Sequence, residues 1–224
     1  MPSPAPDSSD WSRWHVLDAR PDHAPFLAWA LRTASRSHLD RGGLEIFVGG
    51  SEADTMRFLA LWPLTSSPSW AHYTNFIVAE ADGAPAGALC GYFVEEVEPL
   101  FGKPAIEVAV KAGWSHDDLV AAWNRIASGR FVAIDRVPGA WVVESVAVLP
   151  AWRRQGLTSH LLETILDRGR QRGATCAEIG VLIGNDAAER AYEKAGFAVV
   201  GEARNAEYEA VFGCPGMRLL RRNL

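Results

Sequence analysis

The chain is 224 residues long and 48% apolar, with 22 Lys and Arg against 27 Asp and Glu and a formal net charge of −5. Such a length and apolar content suffice for one large globular core. The mild negative charge and the lack of a long Lys/Arg run exclude binding built on dense positive charge, so neither nucleic acid nor an anionic membrane surface is an expected partner. No stretch reaches the roughly 18 consecutive apolar residues that a membrane-spanning helix needs. The first fourteen residues, MPSPAPDSSDWSRW, lack the basic and apolar regions of a secretion signal. Cys90, Cys176 and Cys214 are odd in number, far apart and without CxxC spacing, which points to free thiols in a reducing compartment, and hence to a cytoplasmic location.

Composition divides the sequence into a flexible tail over residues 1–9 and one continuous domain over residues 10–224, with no repeat and no Gly/Ser linker long enough to separate a second core from the first. Residues 25–38 place Phe26, Ala30, Leu31 and Ala34 on one face and predict a helix. A second helix starts after Ser51 as N-cap, with two acids in its first turn and Met56, Leu59 and Ala60 on one side. Residues 75–80 and 86–95 read as a β-hairpin about Asp82-Gly83. Residues 97–112 carry a Pro-Leu-Phe-Gly-Lys-Pro turn and an apolar run that fits no single element. Ser115 caps a third helix with Leu119, Ala122, Trp123 and Ile126 on one face. Two strands follow at 130–135 and 140–150, then a helix over 156–172 stopped by Gly173, a strand at 175–184, and a helix over 186–195 stopped by Gly196. Strand-like residues 197–203 and 216–222 close the chain. This alternation predicts an α/β fold with parallel pairing at its centre.

The chemistry concentrates at VAVLPAWRRQGLTSHLL, residues 146–162. A helix that starts straight after a strand exposes amides with no intrahelical partner and a partial positive charge, which suits a phosphate. Gly156 lets the backbone approach such a ligand, and Arg153 and Arg154 can add charge-assisted hydrogen bonds. A phosphorylated ligand is therefore expected at this junction.

These residues resemble the pyrophosphate loop of the GNAT superfamily of N-acetyltransferases, Arg/Gln-x-x-Gly-x-Gly/Ala, through Arg153, Gly156 and Thr158. Thr158 departs from the usual Gly or Ala; its methyl crowds the site, while its hydroxyl could bind a phosphate oxygen. Further on, NDAAERAYEKAGF resembles the family's second signature through Asn185, Ala188, Tyr192, Gly196 and Phe197. The resemblance spans residues 141–197, a quarter of the chain, and the pair of motifs is far more specific than either alone.

The resemblance implies a mixed, twisted sheet of six or seven strands flanked by helices, splayed in a V at the fourth core strand where acetyl-CoA inserts. It implies that Gln155, Gly156, Leu157, Thr158 and Ser159 offer main-chain amides to the diphosphate. The backbone of Val146, Ala147 and Val148 would pair with the pantetheine arm, with Asn185 and Ala188 beside it. Asn185 would also cap its helix. Tyr192 stands where the family's tyrosine protonates the departing thiolate, although a tyrosine on an amphipathic helix can equally be packing.

Glu144 lies in a strand of Val, Ala and Ser, and strict alternation puts it on the face of Val146 and Val148. It could accept the ammonium proton of an acceptor, directly or through water, as an acid does at this part of the strand in many relatives. Alternatively it is paired with an arginine of a neighbouring strand, or orients the amine without deprotonating it. The expected reaction is direct acetyl transfer from acetyl-CoA to a primary amine in a ternary complex, a small molecule being favoured over a protein as acceptor. The alternatives are a CoA-binding sensor without turnover and a transferase of longer acyl chains.

No metal is expected: His116-Asp117-Asp118 resembles a ligand cluster, but acids after a Ser cap are what a helix start prefers. The helix after Ser115, extra to a minimal family member, is placed to shape an acceptor pocket. The apolar C-terminal strand could pair across a homodimer.

Overall fold

A computed structural model describes residues 11–224; the expected tail over residues 1–9 lies outside the described residues. Seven strands form one sheet: β1 His15–Asp18, β2 Phe76–Ala81, β3 Ala84–Phe93, β4 Trp141–Val148, β5 Cys176–Leu182, β6 Ala198–Arg204 and β7 Gly216–Asn223, in the order β1-β2-β3-β4-β5-β7-β6. Among the paired strands of this sheet, only β4 and β5 run parallel. The β2–β3 hairpin turns where Asp82 and Gly83 both take positive φ, as their residue types allow.

Two buried clusters cover the two faces. On one, α1 Ala24–Arg36, α2 Gly43–Val48, α3 Glu52–Leu59, α4 Lys103–Lys111 and α5 His116–Arg125 pack with Val78, Ala88, Cys90, Tyr92, Val142 and Ala147. On the other, α6 Leu157–Gln171 packs with Ile77, Leu89, Trp141, Val143 and Val148, joined by Tyr192 of α7 Asp186–Lys194. Leu157, Leu161, Leu162, Ile165 and Leu166 recur at helical spacing and are all buried; each such burial stabilises by about 1.5–3 kcal/mol. They hold the N-terminus of α6 at the end of β4.

Close approach of α6 to the sheet depends on glycine. A β-carbon on Gly91 would lie 2.6 Å from both Ile165 Cγ1 and Trp141 Cζ2. Gly91→Ala is therefore expected to lower unfolding stability by about 1–3 kcal/mol through overpacking, read as a lower urea midpoint. An unchanged midpoint would show that the Trp141 layer yields.

The Ser51 and Ser115 caps form as predicted, each accepting from the amide three residues on. Residues 103–111, in the stretch that fitted no element, are helical, with Pro104 in the first turn. The predicted strand at 130–135 does not form. Residues Ala127–Val132 are a 3-10 helix and 133–140 run irregularly, because Val132 packs locally with Tyr208 of α8 Ala206–Phe212 and with Cys214. Besides α4, the elements β1, α2 and α8 have no counterpart among those predicted from sequence. The C-terminal strand is not free to extend the sheet: β7 is hydrogen-bonded on both sides, between β5 and β6. A backbone pairing between copies through β7 is thereby ruled out.

Candidate active site

The parallel ladder between β4 and β5 runs only from Trp141↔Ala177 to Val143↔Ile179. Beyond that, β4 stays with β3 as far as Val148, and β5 stays with β7 as far as Leu182. The sheet therefore splits, leaving the facing edges of residues 144–148 and 180–182 without a ladder. A bulge sits at the split: Cys90 pairs with Glu144 and Ala88 with Ala147, so two steps on β3 meet three on β4. Ser145 takes φ of +56° to absorb the extra residue, and such a bulge bends and twists its strand. A non-glycine residue held in the left-handed region at a split in the sheet is the kind of strain that gathers at ligand sites.

The bulge corrects the alternation expected from sequence. Val146 and Val148 pack with the α6-face cluster, while Val142 and Ala147 belong to the α1-face cluster. Glu144 shares the α1 face, against Tyr92 and Arg136, instead of the face of Val146 and Val148.

The loop after β4 is anchored by Leu149, whose amide donates to the Ala86 carbonyl at 2.9 Å. Positive φ at Arg154 (+59°) and Gly156 (+94°), with Gln155 between them, alternates the hand of the backbone as anion nests do. No side chain caps α6, so the amides of Leu157, Thr158 and Ser159 emerge at its positive end without intrahelical partners. Nothing lies within 4 Å of a β-carbon built on Gly156. Glycine is demanded there by the dihedral, not by protein packing.

Arg153 Nε donates to the Val148 carbonyl at 3.0 Å and braces the loop root. Gln155 Nε2 donates to the Ala151 carbonyl at 2.7 Å, and its Oε1 accepts from Arg13 at 2.9 Å. Arg154 is exposed, and Thr158 and Ser159 are half-buried. Asn185 caps α7, its Oδ1 accepting from the Ala188 amide at 3.2 Å, and its Nδ2 donates to Ser37 Oγ at 2.5 Å at the end of α1.

Tyr192 is buried and meets Phe197 edge-on at 6.4 Å between centroids. Burial pushes its phenol well above the ordinary tyrosine range, so it carries its proton at neutral pH. Glu144 and Tyr192 belong to opposite faces of the sheet. Cys90 Sγ donates to the Glu144 carbonyl at 3.4 Å; burial raises its pKa well above that of an ordinary thiol, which leaves it a poor nucleophile.

Around Glu144 the fold assembles four residues that carry no motif in the sequence. Arg136 Nη2 donates to Glu144 Oε1 at 2.9 Å. The Tyr92 phenol lies on the same carboxyl. Glu178 of β5 is fully buried, and Arg221, directly opposite on β7, donates to its Oε1 from Nε at 2.9 Å and Nη2 at 2.8 Å. Burial raises the pKa of Glu144, opposed by the charge of Arg136 and the Tyr92 hydrogen bond. Glu178 was recoverable in principle, as a lone carboxylate in an apolar strand. Arg136 gave no signal, lying in a segment predicted as strand up to residue 135 and irregular in the structure. The pairing with arginine weighed for Glu144 is therefore present, although the partner comes from a loop.

A separate opening of about 680 Å³ lies among α2 to α5, lined by Asp54, Arg57, Trp114, Asp118 and Arg125. None of the expected site residues lines it, and α5 contributes there.

A parallel pair of strands that splits beside an uncapped, anion-receptive helix end is the architecture of an acyltransferase that takes its acyl group from a CoA thioester. The family model described as the acetyltransferase (GNAT) family matches residues 51–197, and the chain belongs to that family. Among solved structures, an acetyltransferase aligns at TM-score 0.67 and 20% identity over 93% of this chain and 98% of its own. An N-acetyltransferase from Staphylococcus aureus Mu50 aligns at TM-score 0.62 and 14% identity over 92% and 99%. At these identities the likeness is one of fold. A search among curated proteins found no match. No helix among the described residues is long and apolar enough to cross a membrane.

Proposed function

We propose that the chain transfers an acetyl group from acetyl-CoA to a primary amine by direct attack in a ternary complex, in the cytoplasm. The observation that carries this reading is the end of the β4–β5 ladder at Val143↔Ile179, which opens two strand edges next to the amides of residues 154–159. Those amides, with Arg153 and Arg154, bind the diphosphate. The free edge of Val146, Ala147 and Val148 pairs with the pantetheine amides as an added strand would, and Asn185 and Ala188 border the arm.

Proximity supplies most of the acceleration. Glu144 first takes the ammonium proton, directly or through water, which frees the nitrogen lone pair. The amine then bonds to the carbonyl carbon, and the C–S bond breaks with Tyr192 giving its proton to the leaving sulfur. The second N–H proton, lost as the amide forms, restores the Tyr192 phenol through water. The raised pKa of Glu144 makes it a stronger base than an exposed carboxylate, and the protonated state of Tyr192 is the one a donor needs.

Thiol release from acetyl-CoA across a panel of primary amines tests the reaction. Tyr192→Phe is expected to lower kcat by about 10²-fold, at the low end for a lost proton donor, with CoA affinity unchanged. Release undiminished in the phenylalanine variant would remove Tyr192 from the mechanism. Tight CoA binding with no release from any amine would favour a sensing module.

A further inference from the structure

Two charged atoms near the split are buried without a hydrogen-bond partner: Arg136 Nη1 and Glu178 Oε2. They lie 4.0 Å apart, too far for a hydrogen bond. Arg136 instead places Nη2 on Glu144 Oε1 at 2.9 Å. Glu178 uses only Oε1, which accepts from Arg221 and, at 3.5 Å, from the Val137 amide. One guanidinium thus stands between two carboxylates, seated on the first and within a small displacement of an open oxygen on the second.

We infer that Arg136 is a displaceable counter-ion of Glu144, seated there while the acceptor site is empty and passed to the open Oε2 of Glu178 when a cationic amine takes its place. This rests on the reading of Glu144 as the residue that meets the acceptor. Burying unsatisfied polar atoms is unfavourable, and the second seat pairs both orphaned atoms at once. The backbone allows the move, because Arg136 lies in the irregular chain of residues 133–140, outside every strand ladder. That chain is tied by the Val137 amide to Glu178 and by the Gly139 amide to Glu95 Oε1 at 3.1 Å.

Charge explains what the exchange selects. The groups facing Glu144 are Tyr92 and Cys90 from β3, Arg136 from the loop and, beyond it, Glu178 on β5 with Arg221 on β7. Two carboxylates balance two guanidiniums while the site is empty. An arriving ammonium leaves one positive charge in excess, which favours loss of its proton through Glu144 to solvent, the step that frees the nitrogen lone pair for attack. A neutral alcohol offers Glu144 no charge with which to replace Arg136. Arg136 is therefore a positioning residue that selects amines.

The test uses the full chain with its glutamate side chains labelled with carbon-13 and methylammonium chloride as the probe. Glu144 is assigned by the carboxyl resonance missing from Glu144→Gln. Arg136→Gln removes the internal competitor and is expected to bind methylammonium about tenfold more tightly than the native chain, as for a site otherwise one-tenth available. In turnover, the same variant should show a lower KM for the amine. A residue that merely held Glu144 in place would leave KM unchanged or raise it and lower kcat.

Glu178→Gln removes the charge of the second seat and is expected to weaken methylammonium binding in the native background, with no effect once Arg136 is already glutamine. Should Glu178→Gln not fold, Arg136→Gln decides alone. Equal or weaker methylammonium binding by Arg136→Gln, or no response of the Glu144 resonance in either protein, overturns the inference. The titration needs no turnover, so a failure of acetyl transfer is read separately. Turnover with KM insensitive to Arg136 removes only the counter-ion role.

Discussion

Gly156→Val is expected to weaken CoA binding by about 100-fold or more while leaving the protein folded. Two separate costs produce this result. The native φ of +94° is disfavoured for a residue with a β-carbon by about 1–2 kcal/mol, and a branched side chain makes it worse. Because nothing lies within 4 Å of that β-carbon, no steric clash adds to the strain, so the melting temperature should fall by only a few degrees in a chain of this size. On the ligand side, hydrogen bonds to a charged group contribute about 1.5–3 kcal/mol each. Losing one or two from amides that no longer point at the diphosphate corresponds to about 100-fold, at 1.4 kcal/mol per factor of ten. Calorimetry with CoA, alongside thermal unfolding, separates the two terms. If the folded valine variant bound CoA within about threefold of the native chain, the diphosphate would not lie on this loop and the enzymatic reading would lose its anchor. Reversing the charges of Arg153 and Arg154 should weaken CoA in the same direction.

The second large effect is expected at Glu144. Glu144→Gln should lower kcat/KM by about 10²- to 10⁴-fold, the range for a lost general base. The pH profile identifies the cause. Burial raises the carboxyl's pKa despite Arg136, so the acidic limb of kcat/KM should lie above the ordinary glutamate value of about 4.3. Activity rises with pH through that limb, and the glutamine variant should be flat across it. The stability sign runs the other way. A carboxyl with a raised pKa binds its proton more tightly in the folded state, so its contribution is most favourable at low pH and declines as pH rises from the unfolded pKa through the folded one. The native chain should therefore lose stability relative to Glu144→Gln as pH rises through this window, measured by urea unfolding at several pH values. An unchanged acidic limb in the glutamine variant would assign the base to another group.

The residues around Glu144 show where a linear reading runs out. The turn at Arg153, Arg154 and Gly156, proposed to take the diphosphate, was legible because it is made by local dihedrals and an adjacent helix end. The face of Glu144 was not, since it turns on one extra residue at Ser145 counted against a strand more than fifty positions earlier. Similarly, Arg221 looked like one of several basic residues near the end of the chain, and only the register with β5 places it on Glu178.

By itself the sequence determined the local devices: the Ser51, Ser115 and Asn185 caps, the Asp82-Gly83 turn, the glycine-bearing loop and the apolar stripe of α6. Each is decided within a few bonds, by capping geometry, backbone sterics and helical period. The tertiary structure alone decided the split of β4 from β5, the seat of β7 between β5 and β6, and the convergence of Tyr92, Arg136, Glu178 and Arg221 on the split. Those features arise from strand pairing between distant segments, where a shift of one residue reverses the face a side chain occupies.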